Sequence, residues 1–415
     1  MFHFPEEPLH LTCKEGYGYF PGYPGQKLKN GRYEITRKVG YGPRSSVWLV
    51  LDSCNDEVYS IIKILTAHET LQKPPPELGA LKARVNLVYD YFDEDSHHGT
   101  HLCLLLSLSG PSLEHLRLSP PTKSLSRHIV QRAVACVLEE LMKLHGRGFI
   151  HGAVTENNIA SWIARCRTDI DPVLAELSPC TTERKVIIGD MKFPVVLSSP
   201  VPGYFEWNDN PSHVGRNSME LINLGHSQKI QEDKKVTEQK KRRNRKKKMK
   251  KHVVLTPTEH VVFTPPTWEK SRMHRSLRPP EVILGLPYSW KVDVWMLGSA
   301  VYHMSTGKPL VPEEKATDDG VMLGWLIAMS GGHITPALAL KSGLPSEYFD
   351  ENGLFKLGIP EETLERQIIA SGVVPVNDIP GLVKFVQTCL TLDPGARPSP
   401  EALCENEWVK PGFDT

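Results

Sequence analysis

Two stretches of this chain set phosphate-binding and metal-binding residue types at defined spacing. Gly40-Tyr41-Gly42 lies between two strand-like runs, and Lys63 follows 23 residues after Gly40 inside the run VYSIIKIL. A glycine-containing hairpin lets backbone N–H groups approach a phosphate, and a lysine on the next strand but one sets its charge against the phosphate oxygens. A tight turn without any ligand accounts for the two glycines equally well. Further on, HGAVTENN (His151 to Asn158) follows an amphipathic run, and Asp190 closes the apolar run KVIIGD. A carboxylate and an amide oxygen carried to one place suit Mg²⁺, a hard cation usually bound together with substrate phosphates. Pro279-Pro280-Glu281, Asp293-Val294-Trp295 and Asp393-Pro394-Gly395-Ala396-Arg397 complete an ordered series of short motifs.

The elements that must position these residues change character along the chain. Residues 1–30 are rich in Gly, Pro and aromatics without helical or alternating period, which predicts an extension lying over the domain or staying mobile. RYEITRKV, SVWLVLD and VYSIIKIL read as an antiparallel meander of β-branched and aromatic runs separated by turn residues. A Pro-rich break precedes a short helix candidate, ELGALKARV, and THLCLLLSL reads as a buried strand. Beyond Pro121, Ile129, Val130, Ala133, Val137, Leu138, Leu141 and Leu144 recur at helical spacing and predict one apolar helix face ending near Gly146. From about Pro279 to the end the chain again reads as helical. The layout is a small β-rich part followed by a larger helical part, an α+β class.

Composition narrows the class of molecule. Of 415 residues, 40% are apolar, 23% charged and 8% aromatic, the proportions of a globular chain, which excludes collagen-like, mucin-like and wholly disordered proteins. No run approaches a membrane span, and the start MFHFPEEPLH lacks the layout of a signal peptide, so an intracellular protein without membrane segments is expected. The eight cysteines are scattered without a C-x-x-C pair or zinc-ligand spacing and read as reduced thiols. The net charge of +1 conceals Lys240 to Lys251 (KKRRNRKKKMKK), with ten basic residues; without it the balance is 1 − 10 = −9. Such a block repels itself, which predicts a disordered loop. It has no aromatic interleaving and no Arg-Ser repeat, which argues against sequence-specific nucleic-acid recognition.

NGRYEITRKVGYGPRSSVWLVLD, GTHLCLLLSLSGPSL, RSLRPPEVILG and YFDENGLF, together with the motif order, resemble the eukaryotic protein kinases, and among them the SR-protein kinases that phosphorylate Arg/Ser-rich proteins. The resemblance implies a two-lobed protein-kinase fold, with an N-lobe over 31–107 and a C-lobe over 108–411 interrupted by a disordered basic insertion at about 198–271. It implies ATP and Mg²⁺ as cofactors and an Arg/Ser-rich protein as partner. It assigns Gly40 and Gly42 to the phosphate-covering loop, Lys63 to the nucleotide phosphates, Glu77 as the ion-pair partner of Lys63, Leu106 to the back of the adenine pocket and Ser107 to the hinge. Asn158 and Asp190 become the metal ligands, Glu281 and Arg397 a buried pair, and Asp293 the anchor of the catalytic loop. Glu313, Glu314, Asp318 and Asp319 fall where the SR-protein kinases hold an acidic docking surface; solvated loop carboxylates are the plainer reading.

The pattern breaks at the chemistry. The family's catalytic aspartate, two residues after the His, is Ala153 here, and the lysine two further on is Thr155. A methyl group neither accepts nor orients a hydroxyl proton. A general base contributes on the order of 10²–10⁴-fold, and loss of the lysine removes charge stabilisation as well. The third loop glycine is Ser45, Pro43 stiffens the loop, and the Phe-Gly expected after the metal aspartate is Met191-Lys192. The sequence therefore points to a member with impaired or absent phosphotransfer, acting as a scaffold or regulator. An active Ser/Thr kinase is the alternative, and a nucleic-acid-associated protein using the basic tract is an alternative of another class. A monomer in the cytoplasm, the nucleus or both is expected.

Overall fold

The computed structural model describes residues 6–55, 58–72, 76–83, 88–163, 165–230, 273–342 and 345–414. The chain divides into two compact units, Met1–Pro111 with Ser161–Tyr204, and Ser112–Ala160 with Phe205–Thr415. The expected boundary near residue 107 is thus close to the first crossing, but the chain returns to the first unit for a further stretch that the expected division gave to the second.

The first unit is built on a six-stranded antiparallel sheet. Its strands are β1 (Lys27–Leu28), β2 (Tyr33–Gly42), β3 (Ser45–Asp52), β4 (Tyr59–Leu65), β5 (Val88–Ser96) and β6 (Gly99–Leu106), in the order β1-β2-β3-β4-β6-β5. The central strands are buried at nearly every position because both sheet faces are covered. Trp48, Val50, Ile62, Ile64, Cys103 and Leu105 pack on one face with Phe20, Cys180 and Val196. The edge strand β5 alternates between half-buried and exposed positions and carries Asp90, Asp93, Glu94 and Asp95, a charged edge that resists pairing with another chain.

The N-terminal stretch lies on this unit. Leu9, Tyr19 and Phe20 are buried, the Lys38 ammonium is enclosed by the carboxylates of Glu6, at 2.5 Å, and Glu7, and the Tyr19 hydroxyl donates to the Gly42 carbonyl at 2.8 Å. Burial raises the Glu7 carboxyl above its ordinary value despite the attraction of Lys38. Residues 165–204 add the helix Arg167–Glu176 and the hairpin Thr181–Ile188/Met191–Val196.

The second unit is helical. The 19-residue helix Arg127–His145 buries every residue of the expected apolar face. Lys291–Thr306 has 14 of its 16 residues buried, as befits a helix surrounded by others, and ends at Gly307, whose φ of 72° suits a glycine cap. Gly298 lets it approach the helix Ile379–Cys389 so closely that an added Cβ would sit 2.6 Å from that of Cys389.

The expected disordered insertion at about 198–271 is corrected over its first part. Residues 211–215 form a helix capped by Asn210, Met219–Leu221 is a strand, and Gln228–Lys229 pairs with Phe149–Ile150. Short-range capping and pairing to the helical core outweigh the turn-rich composition that suggested disorder. The Lys240–Lys251 tract lies outside the described residues. All eight cysteines are free, and among the described residues no helix is long and apolar enough to cross a membrane.

Candidate functional site

In the first unit, β2 and β3 meet at Pro43-Arg44, with Gly40 opposite Val47 and Gly42 opposite Ser45. A Cβ added at Gly40 or Gly42 would meet nothing within 4 Å, so the strand is open on that side. Lys63 projects from β4 and Glu77 from the first turn of the helix Pro76–Ala83; Nζ to Oε1 is 2.7 Å and both side chains are buried. A buried ammonium gripped by a carboxylate is fixed in direction. Leu106 ends β6 opposite Ile61, and Ser107 follows it. Asp190 is exposed at the two-residue turn Gly189-Asp190 of the hairpin, where Gly189 has a φ of 58°.

In the second unit, the loop His151 to Asn158 hangs on Asp293 of the helix Lys291–Thr306. The Asp293 carboxylate, fully buried, accepts from the backbone N–H of His151 and of Gly152 and meets His145 Nε2, each at 2.8 Å. His151 Nε2 donates to the Ile222 carbonyl at 3.0 Å, which leaves Nδ1 to accept from the Ala153 N–H at 3.2 Å. That imidazole orients the loop. Gly152, with a φ of 76°, lies where a Cβ would come within 2.8 Å of the His226 carbonyl.

The segment laid along this loop is 219–226. The Ile222 N–H donates to the Asn158 carbonyl at 2.8 Å, and the Asn223 side-chain amide donates to Asn158 Oδ1 at 2.8 Å. Asn158 Nδ2 in turn donates to the Ala153 carbonyl at 2.8 Å. Asn223 has a φ of 61°, a left-handed conformation that asparagine tolerates better than most residues. Of the expected metal pair, Asp190 belongs to the first unit and Asn158 to the second, where Asn223 bonds the Asn158 side chain. Asn223 follows an apolar strand as Asp190 does, and Leu224-Gly225 after it has the hydrophobic-Gly pattern that Met191-Lys192 lacks. Sequence reading missed Asn223, although that Leu-Gly pair was the available signal.

These residues do not fit Mg²⁺. The ion is ordinarily held through one or two carboxylates with retained waters, whereas Asn158 and Asn223 are neutral amides already bonded to each other. Among the described residues no group of three or more His, Cys, Asp or Glu forms a metal cluster.

Beside the loop, a cavity of ≈ 200 Å³ is lined by Thr155, Glu156, Leu277, Ala300, His303 and Leu310 among others. Glu156 Oε1 lies 2.7 Å from His303 Nδ1. Burial raises the Glu156 carboxyl, but the hydrogen bond and charge of His303 outweigh it and hold the group below its ordinary value. Deeper in the unit, Arg397 grips Glu281 through two bonds of 2.9 and 3.1 Å. Of the four acids considered for docking, Asp318 caps the helix Asp319–Ser330 and Asp319 pairs with Arg275, so these two have local structural roles.

Comparison with known proteins agrees with this geometry. The protein kinase domain family matches residues 264–409. Serine/threonine-protein kinase SRPK of Physarum polycephalum is 22% identical over 94% of this chain and 89% of its own length. Dual specificity tyrosine-phosphorylation-regulated kinase 4 of Homo sapiens is 22% identical over 91% of this chain, which spans 57% of that protein. The mouse kinase 3 of the same name is 28% identical, but the match takes in 34% of this chain and 26% of the relative. A crystal structure of a kinase domain superposes with a TM-score of 0.57 at 16% identity, covering 94% of this chain and 98% of that one, so the fold is that of a kinase domain. The chain is thus similar to eukaryotic protein kinases over most of its length, an SR-protein kinase among them, and the protein kinase domain family itself matches its residues 264–409.

Proposed function

We propose that this protein is a Ser/Thr-kinase-family member whose phosphotransfer to protein hydroxyls is impaired, and that it works by binding a protein partner. Protein kinase domains in general use ATP and Mg²⁺. Lys63 paired with Glu77, the open strand at Gly40 and Gly42, and the positions of Leu106 and Ser107 support retained affinity for nucleotide phosphates. The observation that carries the reading is the Asn158–Asn223 bond at 2.8 Å beside Ala153. An amide pair closed on itself stands where the family's metal aspartate would be, and the base and lysine positions are Ala153 and Thr155.

Loss of the base alone is worth on the order of 10²–10⁴-fold, and a missing metal ligand removes charge neutralisation of the transferring group as well. The resemblance to SR-protein kinases makes an Arg/Ser-rich segment the partner chemistry to test first. The Lys240–Lys251 tract supports a cytoplasmic or nuclear location, and a monomer is the expected state.

The test is a Mn²⁺ titration followed by water-proton relaxation, with and without ADP, on the native protein and on Asn223→Asp. The native protein should show no saturable site, and Asn223→Asp should gain one. A saturable Mn²⁺ site in the native protein that is lost on Asn158→Ala would overturn the reading.

A further inference from the structure

The sheet face that carries Lys63 is covered from within the chain. Side chains two apart on a strand share a face, so Tyr59 and Ile61 lie on the Lys63 side of β4. Leu49 and Leu106 sit opposite Ile61 on the neighbouring strands. Ile61 is 4% exposed and Leu49 and Leu108 not at all. They form one apolar cluster with Ile163, Ile170 and Val201, against which Val47, Leu106, Val173 and Leu174 also pack.

Polar contacts fasten this cover at both ends. Arg165 accepts from the Tyr59 N–H at its carbonyl (3.0 Å), and its guanidinium donates to the Tyr59 carbonyl at 3.0 Å and to the Ser60 hydroxyl at 2.5 Å. The Tyr59 hydroxyl donates to Asp171 at 2.8 Å. Farther along, the Ser199 N–H donates to the Lys38 carbonyl at 2.9 Å, and Arg37 donates to the carbonyls of Ser178 (2.8 Å) and Ser199 (3.2 Å). Gly110 and Gly203 both close on the buried Ser161 hydroxyl, with room for no side chain: a Cβ would lie 2.4 Å and 3.0 Å from it.

Ile61 is about 7 Å along the strand from Lys63, so a nucleotide whose phosphates meet Lys63 would lay its sugar and base over the row of Ile61, Val47 and Leu106. We infer that residues 165–177 together with 199–203 are a built-in occupant of that face, and that an adenine nucleotide binds this chain only by displacing them. The inference rests on Lys63 being the nucleotide lysine. It makes the apparent affinity the intrinsic one multiplied by the fraction of molecules in which the cover is off.

The experiment uses the full chain and the fluorescent nucleotide TNP-ATP in the presence of EDTA, so the metal site plays no part. Amide exchange over 165–177 is read in parallel. The perturbation is the double variant Arg165→Ala/Asp171→Ala, which removes the fastening and leaves every apolar residue in place. Val201→Asp loosens the other end independently, and circular dichroism establishes that each variant folds.

The expected result is weak binding to the native protein with faster exchange over 165–177 as the probe saturates, and binding at least tenfold tighter in the loosened variants. Low-micromolar binding to the native protein with unchanged exchange would overturn the inference. So would folded variants with faster exchange over 165–177 and no gain in affinity. Phosphate transfer by the native protein would instead overturn the proposed function, a separate outcome.

Discussion

Replacing Asp293 by Asn tests how the catalytic-loop segment is held. The carboxylate receives the N–H groups of His151 and Gly152 and meets His145 Nε2, all at 2.8 Å and with the carboxylate fully buried. An amide of the same shape keeps one acceptor oxygen and turns an NH₂ toward the other site. One backbone N–H of the loop then faces a donor in a dry interior. A hydrogen bond to a charged group is worth about 1.5–3 kcal/mol, and an orphaned buried donor costs about 1–3 kcal/mol. With its oxygen at the Oδ2 site the amide keeps the His151 N–H and His145 Nε2 and sets its NH₂ against the Gly152 N–H. The opposite flip would put the His145 proton on Nδ1, a buried atom without a hydrogen-bond partner among the described residues. The net expectation is a loss of about 2–4 kcal/mol, a large share of the stability of a typical domain of about 5–15 kcal/mol. Urea unfolding followed by tryptophan fluorescence measures it, and amide exchange at His151 and Gly152 localises it. A change below about 0.5 kcal/mol, the range of ordinary surface substitutions, would refute the claim that Asp293 suspends the loop.

Glu156 gives a pH prediction. Its folded-state value lies below the ordinary one, so the unfolded chain binds more protons across that interval and stability rises with pH there. The contribution is complete above the ordinary carboxylate range and lost as pH falls through the folded value. Denaturation midpoints taken from neutral into the acid range should decline more steeply for the native protein than for Glu156→Gln, and parallel curves would contradict the pairing with His303. Lys38→Met should strip the charge that holds Glu6 and Glu7, since breaking a buried pair costs about 3–5 kcal/mol. Limited proteolysis should then cleave within residues 6–22 much faster, and an unchanged rate would show that the N-terminal stretch is held otherwise.

The legible parts of the sequence were those with a strong local period. Ile129 to Leu144 repeat at helical spacing through about four turns, and the long apolar runs of β3 and β4 admit few readings besides buried strands. The pairs Lys63–Glu77 and Glu281–Arg397 were implied by the resemblance to protein kinases and not by any local period, and both pairs are formed. What escaped was decided by long-range contact. KVIIGD and MELIN both end an apolar run on a possible oxygen ligand, and the acid was the better ligand by chemistry. The backbone bond from Ile222 to Asn158, 64 residues apart in sequence, selects the other one. The cover formed by 165–177 and 199–203 was likewise invisible, because its apolar residues Ile170, Val173, Leu174 and Val201 are separated by the stretch that packs elsewhere and show no period.

The central claim is that the chemistry of phosphotransfer has been lost from a kinase fold, and labelled ATP with an Arg/Ser-rich peptide tests it most directly. The purified native protein should transfer no more phosphate than Lys63→Met in the presence of Mg²⁺. Transfer by the native protein that depends on Mg²⁺ and vanishes in Lys63→Met would contradict the account.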